Sequence, residues 1–342
     1  MKITIFKLFF FSVCCLLLFC QDGRAYENKF THRFINEKAV EDHSNVAEVL
    51  DEVFKSSLGF DDGKNVKIKG KTFLEWVSEG GEREDVPEWR CPMHFHDPLS
   101  ENWDIAGLSI PPIGSFESMI YWAQSSNNDY SWFWAREYYY QALQTGSEEQ
   151  YAKTFRSIGQ LMHLVSDAAV PAHVRNDAHL KFDLFNLGVV KYDDSDPYEN
   201  WVKKQHSKIK MMEYDSVTID RAIFDMVDAS TSAPSPISAL WDHDEYNLGG
   251  SNPPEDSNTT IGLAEYTNAN FWTEATFPWN FNSGYYPHPS LEEINYEENV
   301  WLNPKQVDAE DGVTDNRIYF SKKSDPDGTP FVAAGYWYWQ LY

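Results

Sequence analysis

Residues 159–176 read GQLMHLVSDAAVPAHVRN, and they continue an apolar pattern that begins upstream. Apolar side chains recur three and four positions apart, the spacing of one helix face, at Phe155, Ile158, Met162, Val165 and Ala169. The preceding segment 147–150, Ser-Glu-Glu-Gln, has the form of a capping box. Proline cannot continue a helix. We therefore predict an amphipathic helix that follows residue 147 and ends near Pro171.

Polar side chains on this helix predict a metal site. His163 and Asp167 are one turn apart and share a face, as two ligands of one ion require. Gly159 lies one turn earlier and is expected to leave room for a metal or substrate, at a cost of about 1 kcal/mol in helix stability. Pro171 would let His173 turn back toward the same pocket. The spacing of His163 and Asp167 alone also fits a surface ion pair.

Further helical patterns surround this segment and predict a mainly α fold, with a helical bundle in the first two-thirds of the mature chain. They lie at 31–41, 45–54, 116–124 and 132–144. After residue 228, Ser, Pro, Asn and Gly interrupt the chain, and 261–271 is predicted as a last core helix. Residues 276–342 are rich in Trp, Tyr and Pro and are expected to form a loop-rich aromatic extension, with a strand at 331–342.

The amino terminus has the features of a signal peptide at residues 1–25. The chain starts with Met1 and the basic Lys2, and it continues into an apolar run at 8–20. As a helix this run is roughly 20 Å long, too short to cross a bilayer. Small residues at positions 23 and 25 favour cleavage after Ala25. Lipidation at Cys20 is the alternative, but Phe19 occupies the position where a small residue is needed. We expect a secreted or periplasmic protein without an intrachain disulfide, because only Cys91 remains.

Net charge bears on the partners. The chain has 28 basic and 53 acidic residues, a formal charge of −25, and shows no basic stripe that could follow a nucleic-acid backbone. Nucleic acid is therefore the less favoured partner, although simple solubility explains the same charge.

Two other segments contain candidate ligands. The first is His94-Phe95-His96-Asp97-Pro98, which follows Glu84-Asp85, and the second contains His32, six residues after the expected mature terminus. Loop histidines beside carboxylates can bind a metal, although they also occur in ordinary turns. Surface or packing roles are expected for the remaining histidines His43, His96, His243 and His288.

Together these segments resemble the zinc-dependent phospholipases C and the related single-strand-specific nucleases. The family pattern His-x3-Asp-x3-Pro-x-His-x2-Asn is matched by His163, Asp167, Pro171, His173 and Asn176. The family's upstream His-Phe-x-Asp-Pro segment is matched at 94–98, and its amino-terminal histidine by His32. The resemblance covers residues 26–275 and implies a catalytic domain with the helical bundle of the zinc-dependent phospholipase C type.

The resemblance implies up to three zinc ions. For the first it implies four ligands, Asp85, His94, His163 and Asp167. The second would be bound by the amino nitrogen and carbonyl oxygen of Tyr26, where the family usually has Trp, together with His32 and a shared Asp167.

For the third ion the resemblance implies His173, Glu199 and a second histidine. The family has that histidine four residues before the glutamate, where this chain has Ser195. His179 is the nearest substitute, and His206 fits less well. Asp85 would orient or deprotonate the attacking water, although Glu82 and Glu84 are close to it in sequence.

The function expected from this resemblance is metal-activated hydrolysis of phosphoesters, with phospholipids as substrate and transient contact with a membrane surface. Glu199, where the nucleases tend to have Asp, favours the phospholipase. A single-strand-specific nuclease or phosphomonoesterase of the same fold is the alternative. A zinc-binding protein without turnover is the alternative of a different class, and Ser195 is its main support.

Overall fold

The computed structural model describes residues 28–41, 44–100, 102–110, 114–177, 199, 236–243, 262–271, 273, 276, 286, 317–322 and 331–337. Its α-helices are α1 (Arg33–Glu41), α2 (Ser44–Glu52), α3 (Phe73–Arg83), α4 (Met119–Gln124), α5 (Trp132–Thr145), α6 (Glu148–Asp167) and α7 (Leu263–Asn270). Its strands are β1 (Ser109–Ile110), β2 (Gly114–Ser115), β3 (Arg317–Lys322) and β4 (Phe331–Trp337). The mainly helical fold class is therefore confirmed. No helix among these residues is long and apolar enough to span a membrane.

The central helix α6 forms where the sequence predicts it, but both of its ends differ in detail. Ser147 precedes the helix without making a side-chain capping bond, so the predicted capping box is wrong. The helix ends at Asp167, and turns continue from there to Asn176. Because α6 stops four residues before Pro171, Asp167 lies at a helix end beside the turns that contain His173.

Helix α3 was not predicted, and it is the helix that packs most closely on α6. The Thr72 hydroxyl accepts a hydrogen bond from the Glu75 amide (3.3 Å), and the Glu75 carboxylate accepts one from the Thr72 amide (2.7 Å). This capping box satisfies two amides that would otherwise lack partners at the helix start. The end of α3 leads directly to Asp85.

Glycines allow α3 and α6 to cross at very short range. A Cβ at Gly159 would lie 2.2 Å from the carbonyl oxygen of Val77, and one at Gly80 would lie 2.7 Å from the Gly159 Cα. The expectation that Gly159 leaves room for a metal or substrate is therefore wrong, because the backbone of α3 fills that space. The Asn36 side chain spans the crossing and donates to the carbonyls of Val77 (3.1 Å) and Gly159 (3.0 Å).

Two apolar clusters surround this crossing. One contains Trp122, Leu164 and Trp241, and the Trp241 indole donates to the Leu164 carbonyl at 3.0 Å. The other packs Phe54 against aromatic rings of α3 and α6, including Phe155. The first cluster covers the site-bearing end of α6, and the second covers its early turns.

The carboxyl-terminal part contains an antiparallel pair of strands, β3 and β4, which confirms a strand within the predicted region 331–342. Arg175 donates to Thr276 (3.0 Å), and the Tyr286 hydroxyl donates to Asp97 (3.2 Å). These contacts cross the predicted boundary at residue 276. The boundary itself stays a prediction, and the signal peptide at 1–25 lies outside the described residues.

Candidate metal centre

Helix α6 presents a histidine and a carboxylate at its end. His163 and Asp167 are fully buried, with 3.3 Å between His163 Nε2 and Asp167 Oδ2. The alternative of a surface ion pair is therefore wrong. Both side chains face the interior, where the other candidate ligands meet them.

The connection after α3 brings two more candidates to this point. Asp85 Oδ2 lies 3.6 Å from His163 Nε2. His94 Nδ1 lies 3.2 Å from Asp85 Oδ1 and 2.9 Å from Asp167 Oδ2. Asp85, His94 and His163 form one of the groups whose ligand atoms are close enough to bind a metal ion. Asp85, and not its neighbour Glu84, is the acidic residue that joins this group, because the Glu84 carboxylate accepts a hydrogen bond from Arg90.

His32 approaches from the π-helical turn Asn28–His32, which precedes α1. Its Nε2 lies 3.3 Å from Asp167 Oδ1, and its ring stacks on that of His163 with centroids 3.6 Å apart. His32, His163 and Asp167 form a second group able to hold a metal ion. The two groups share His163, and Asp167 faces ligand atoms of both.

His173 and Glu199 are the remaining candidate ligands among the described residues. The turns after α6 place His173 Nδ1 3.9 Å from Asp167 Oδ1. His173 Nε2 lies 3.6 Å from Glu199 Oε1, and both side chains are buried. The other candidates implied by the resemblance lie outside the described residues, and these are Tyr26, His179, Ser195 and His206.

The buried oxygens and nitrogens of this centre fit a cation. Among the described residues, Asp85 Oδ2, His163 Nε2 and both carboxylate oxygens of Asp167 make no hydrogen bond. Buried carboxylates without compensation are strongly disfavoured, and a metal ion bound between them would supply the missing positive charge. These oxygen and nitrogen atoms lie close together, as the ligand atoms around one metal ion do.

Hydrogen bonds behind the histidines fix which ring nitrogen faces the centre. A carbonyl only accepts, so His163 Nδ1 donates to the Gly81 carbonyl at 2.7 Å and directs Nε2 toward the carboxylates. The Ser166 hydroxyl donates its proton to the His163 carbonyl at 2.8 Å and therefore accepts from His32 Nδ1 at 2.7 Å. Such supporting bonds are usual behind metal-bound histidines. Neither Gly81 nor Ser166 was predicted from the sequence.

The charges of the centre alter two pKa values in the metal-free protein. Burial works to lower the pKa of His163, but the carboxylates of Asp167 and Asp85 outweigh it and raise the pKa from 6.5 to about 9. Burial also opposes ionisation of Asp167, yet His163, His32 and His173 hold the pKa of that carboxyl well below its usual range. Without metal, a proton on His163 supplies the positive charge.

A pH dependence follows for the metal-free protein. Because the pKa of His163 is raised in the folded state, its proton stabilises the folded protein fully below pH 6.5. This contribution, roughly 3 kcal/mol, is lost as pH rises through about 9. We expect the melting temperature in chelator to fall between pH 7 and 10, because the unfolded state does not hold this proton. Metal-loaded protein should fall less, since the ion replaces the proton.

Calorimetric titration with metal in buffers of different ionisation enthalpy measures the proton directly. Release of about one proton from His163 per chain is expected at pH 7, and this release should disappear above pH 9. Equal proton release at pH 7 and 10 would contradict the assignment.

His96 has the packing role that the sequence predicts. It is buried, with Nε2 2.7 Å from Asp242 Oδ2, and its amide donates to the His173 carbonyl at 2.9 Å. The structure places it behind the candidate ligands.

Comparison of the chain with protein-family models, with curated proteins and with solved structures gave no match in any of the three.

Proposed function

We propose that this chain is an exported zinc-dependent phosphoester hydrolase of the phospholipase C type. The observation that carries the proposal is the position of Asp167, whose two oxygens face the ring nitrogens of three histidines, His32, His94 and His163, at 2.9–3.3 Å. Such a carboxylate can bridge two metal ions. Clusters of this kind are used for phosphoester hydrolysis.

The donor set and its spacing support zinc as the metal. Imidazole nitrogens and carboxylate oxygens are its usual ligands in catalytic sites. Ligand atoms at about 2.0–2.2 Å from a tetrahedral zinc ion lie roughly 3.3–3.6 Å apart. Four of the six pairs among Asp85, His94, His163 and Asp167 have ligand atoms 2.9 to 3.6 Å apart. Side chains with these separations need to shift little to take one ion.

Asp85 is the residue proposed to act on the attacking water. Its two oxygens face different histidines, His94 at 3.2 Å and His163 at 3.6 Å, so the carboxylate is held between two ligands. Bound zinc would lower the pKa of water and polarise a phosphoryl oxygen. Asp85 can then orient or accept the proton of that water, while the hydrogen bond from His163 to Gly81 keeps the opposing ring in place.

The proposed substrate is a phospholipid. The formal charge of −25 disfavours a polyanionic substrate, whereas a zwitterionic headgroup is not repelled in the same way. Glu199, 3.6 Å from His173, supports the phospholipase branch by the resemblance described above.

Metal content and hydrolysis test this proposal together. The full chain would be produced in a host that exports it, and its zinc content would be measured. Release of phosphocholine from phosphatidylcholine vesicles and release of nucleotides from single-stranded DNA would be measured on the same protein. We expect bound zinc and phosphocholine release, and loss of both in His163→Ala. Glu149→Gln, an exposed change at the far end of α6, serves as the control.

The other outcomes are equally informative. Faster release of nucleotides than of phosphocholine would favour the nuclease. Bound zinc without hydrolysis of either substrate or of bis(p-nitrophenyl) phosphate would favour the zinc-binding protein without turnover. Absence of zinc from the wild type would overturn the proposal.

A further inference from the structure

A second buried cluster lies directly behind the candidate metal centre. Glu84 is fully buried and Arg90 nearly so. One nitrogen of Arg90, Nη2, lies 2.6 and 2.7 Å from the two carboxylate oxygens of Glu84, and Nε donates to the Glu84 carbonyl at 2.7 Å. The ion pair therefore links the two ends of the segment 84–90, which follows α3.

Other donors saturate the Glu84 carboxylate. The Trp122 indole donates to Oε1 at 2.8 Å. The surrounding donors and acceptors assign the Gln160 amide nitrogen to the side of Oε2, where it donates at 2.6 Å while the amide oxygen accepts from Arg156. Arg90 also donates to Asn128 at 2.9 Å. Glu84 is thus fully occupied and separated from His94 Nε2 by 3.8 Å, so it is not placed to bind the metal itself.

Each main member of this cluster is close in sequence to a candidate ligand. Glu84 immediately precedes Asp85, and Arg90 is four residues before His94. Gln160 is three residues before His163 on α6. The cluster therefore ties together the three segments that present Asp85, His94 and His163.

Stability alone is a weak reason for such a pair. Desolvation of two buried charges can exceed their attraction, and well-packed apolar residues often do as well. A planar guanidinium, in contrast, fixes the direction of several bonds at once. This geometry is suited to fixing the backbone segments that contain the candidate ligands.

We propose that Glu84 and Arg90 are positioning residues of the metal centre, which hold Asp85 and His94 at the separation that one ion requires. The inference rests on the proposed function for the identity of the metal. It adds two residues that contact neither the metal nor the substrate.

Arg90→Lys tests the inference because it keeps the charge and removes the planar set of donors. We expect zinc affinity, measured by chelator competition, to fall by roughly 10–100-fold, as for other residues that support metal ligands. The Co²⁺-loaded variant should also show an altered visible spectrum. Lys71→Met, which removes an ion pair with Glu79 on α3, is the matched control and should bind zinc as the wild type does.

The rise in melting temperature on adding zinc distinguishes a positioning role from a merely structural one. That rise reports metal affinity, whereas general destabilisation lowers the metal-free and loaded values alike. We expect a smaller rise in Arg90→Lys and in the neutral double variant Glu84→Gln/Arg90→Gln. If the double variant does not fold, Arg90→Lys decides.

The inference would be overturned if Arg90→Lys has unchanged zinc affinity and an unchanged rise in melting temperature on adding zinc. Zinc binding by a wild type that hydrolyses no phosphodiester would overturn the proposed function and leave this comparison intact. A wild type that binds no zinc would overturn both.

Discussion

Asp167→Asn is expected to remove metal from the centre and to reduce hydrolysis to background. Asp167 faces His94 and His163 through one oxygen and His32 through the other. An amide has no negative charge, and its nitrogen cannot take the place of a carboxylate oxygen toward a cation. The loss in zinc affinity should exceed the roughly 10–100-fold that follows loss of a supporting residue.

Zinc content after dialysis and the rate on bis(p-nitrophenyl) phosphate measure this effect. Asn has almost the same shape as Asp, so the fold should persist, as a melting curve in chelator can establish. Glu149→Gln makes the same chemical change at an exposed position of α6 and should retain both zinc and activity. Full zinc occupancy in Asp167→Asn would remove the bridging carboxylate from the proposal.

The helices that the sequence predicts are those with a clear apolar repeat. In α6 the repeat extends through several turns, and Phe155, one of its members, is buried. Helix α3 was missed because Gly80 and Gly81 interrupt the pattern in the way a turn does. Its start was nevertheless recognisable, since Thr72 and Glu75 have the spacing of a capping box.

Part of the candidate ligand set could be predicted from the sequence because two of its members lie on one helix. His163 and Asp167 share a helix face, and that relation is local. Their distance from Asp85 and His32 depends on how α3 and the first turn pack on α6, and no local pattern contains that information. The resemblance to a known family supplied the grouping that spacing alone did not.

The supporting residues were missed for the same reason. Ser166 is an ordinary helix residue until His32 is placed beside it at 2.7 Å. The Gly81 carbonyl matters only because α3 crosses α6 closely enough for His163 to reach it. Contacts of this kind follow from the crossing of helices, which makes Gly159 the most informative position to change.

Gly159→Ala distinguishes two roles by the sign of its effect on stability. If Gly159 only left space for a ligand, alanine would strengthen α6 by about 1 kcal/mol and raise the melting temperature. In the structure the added Cβ would lie 2.2 Å from the Val77 carbonyl oxygen and 2.9 Å from the Gly80 Cα. These are backbone atoms, so relief requires the helices to separate.

We therefore expect Gly159→Ala to destabilise the protein by about 1–3 kcal/mol, the usual cost of overpacking, as measured by denaturant unfolding in chelator. Separation of α3 from α6 would also move the Gly81 carbonyl and Asp85 away from His163, which should weaken zinc binding. Glu149→Ala introduces the same residue at an exposed position of α6 and should cause neither change. A more stable Gly159→Ala with unaltered zinc affinity would contradict the close crossing, because a helix that accepts this methyl group cannot lie against the α3 backbone.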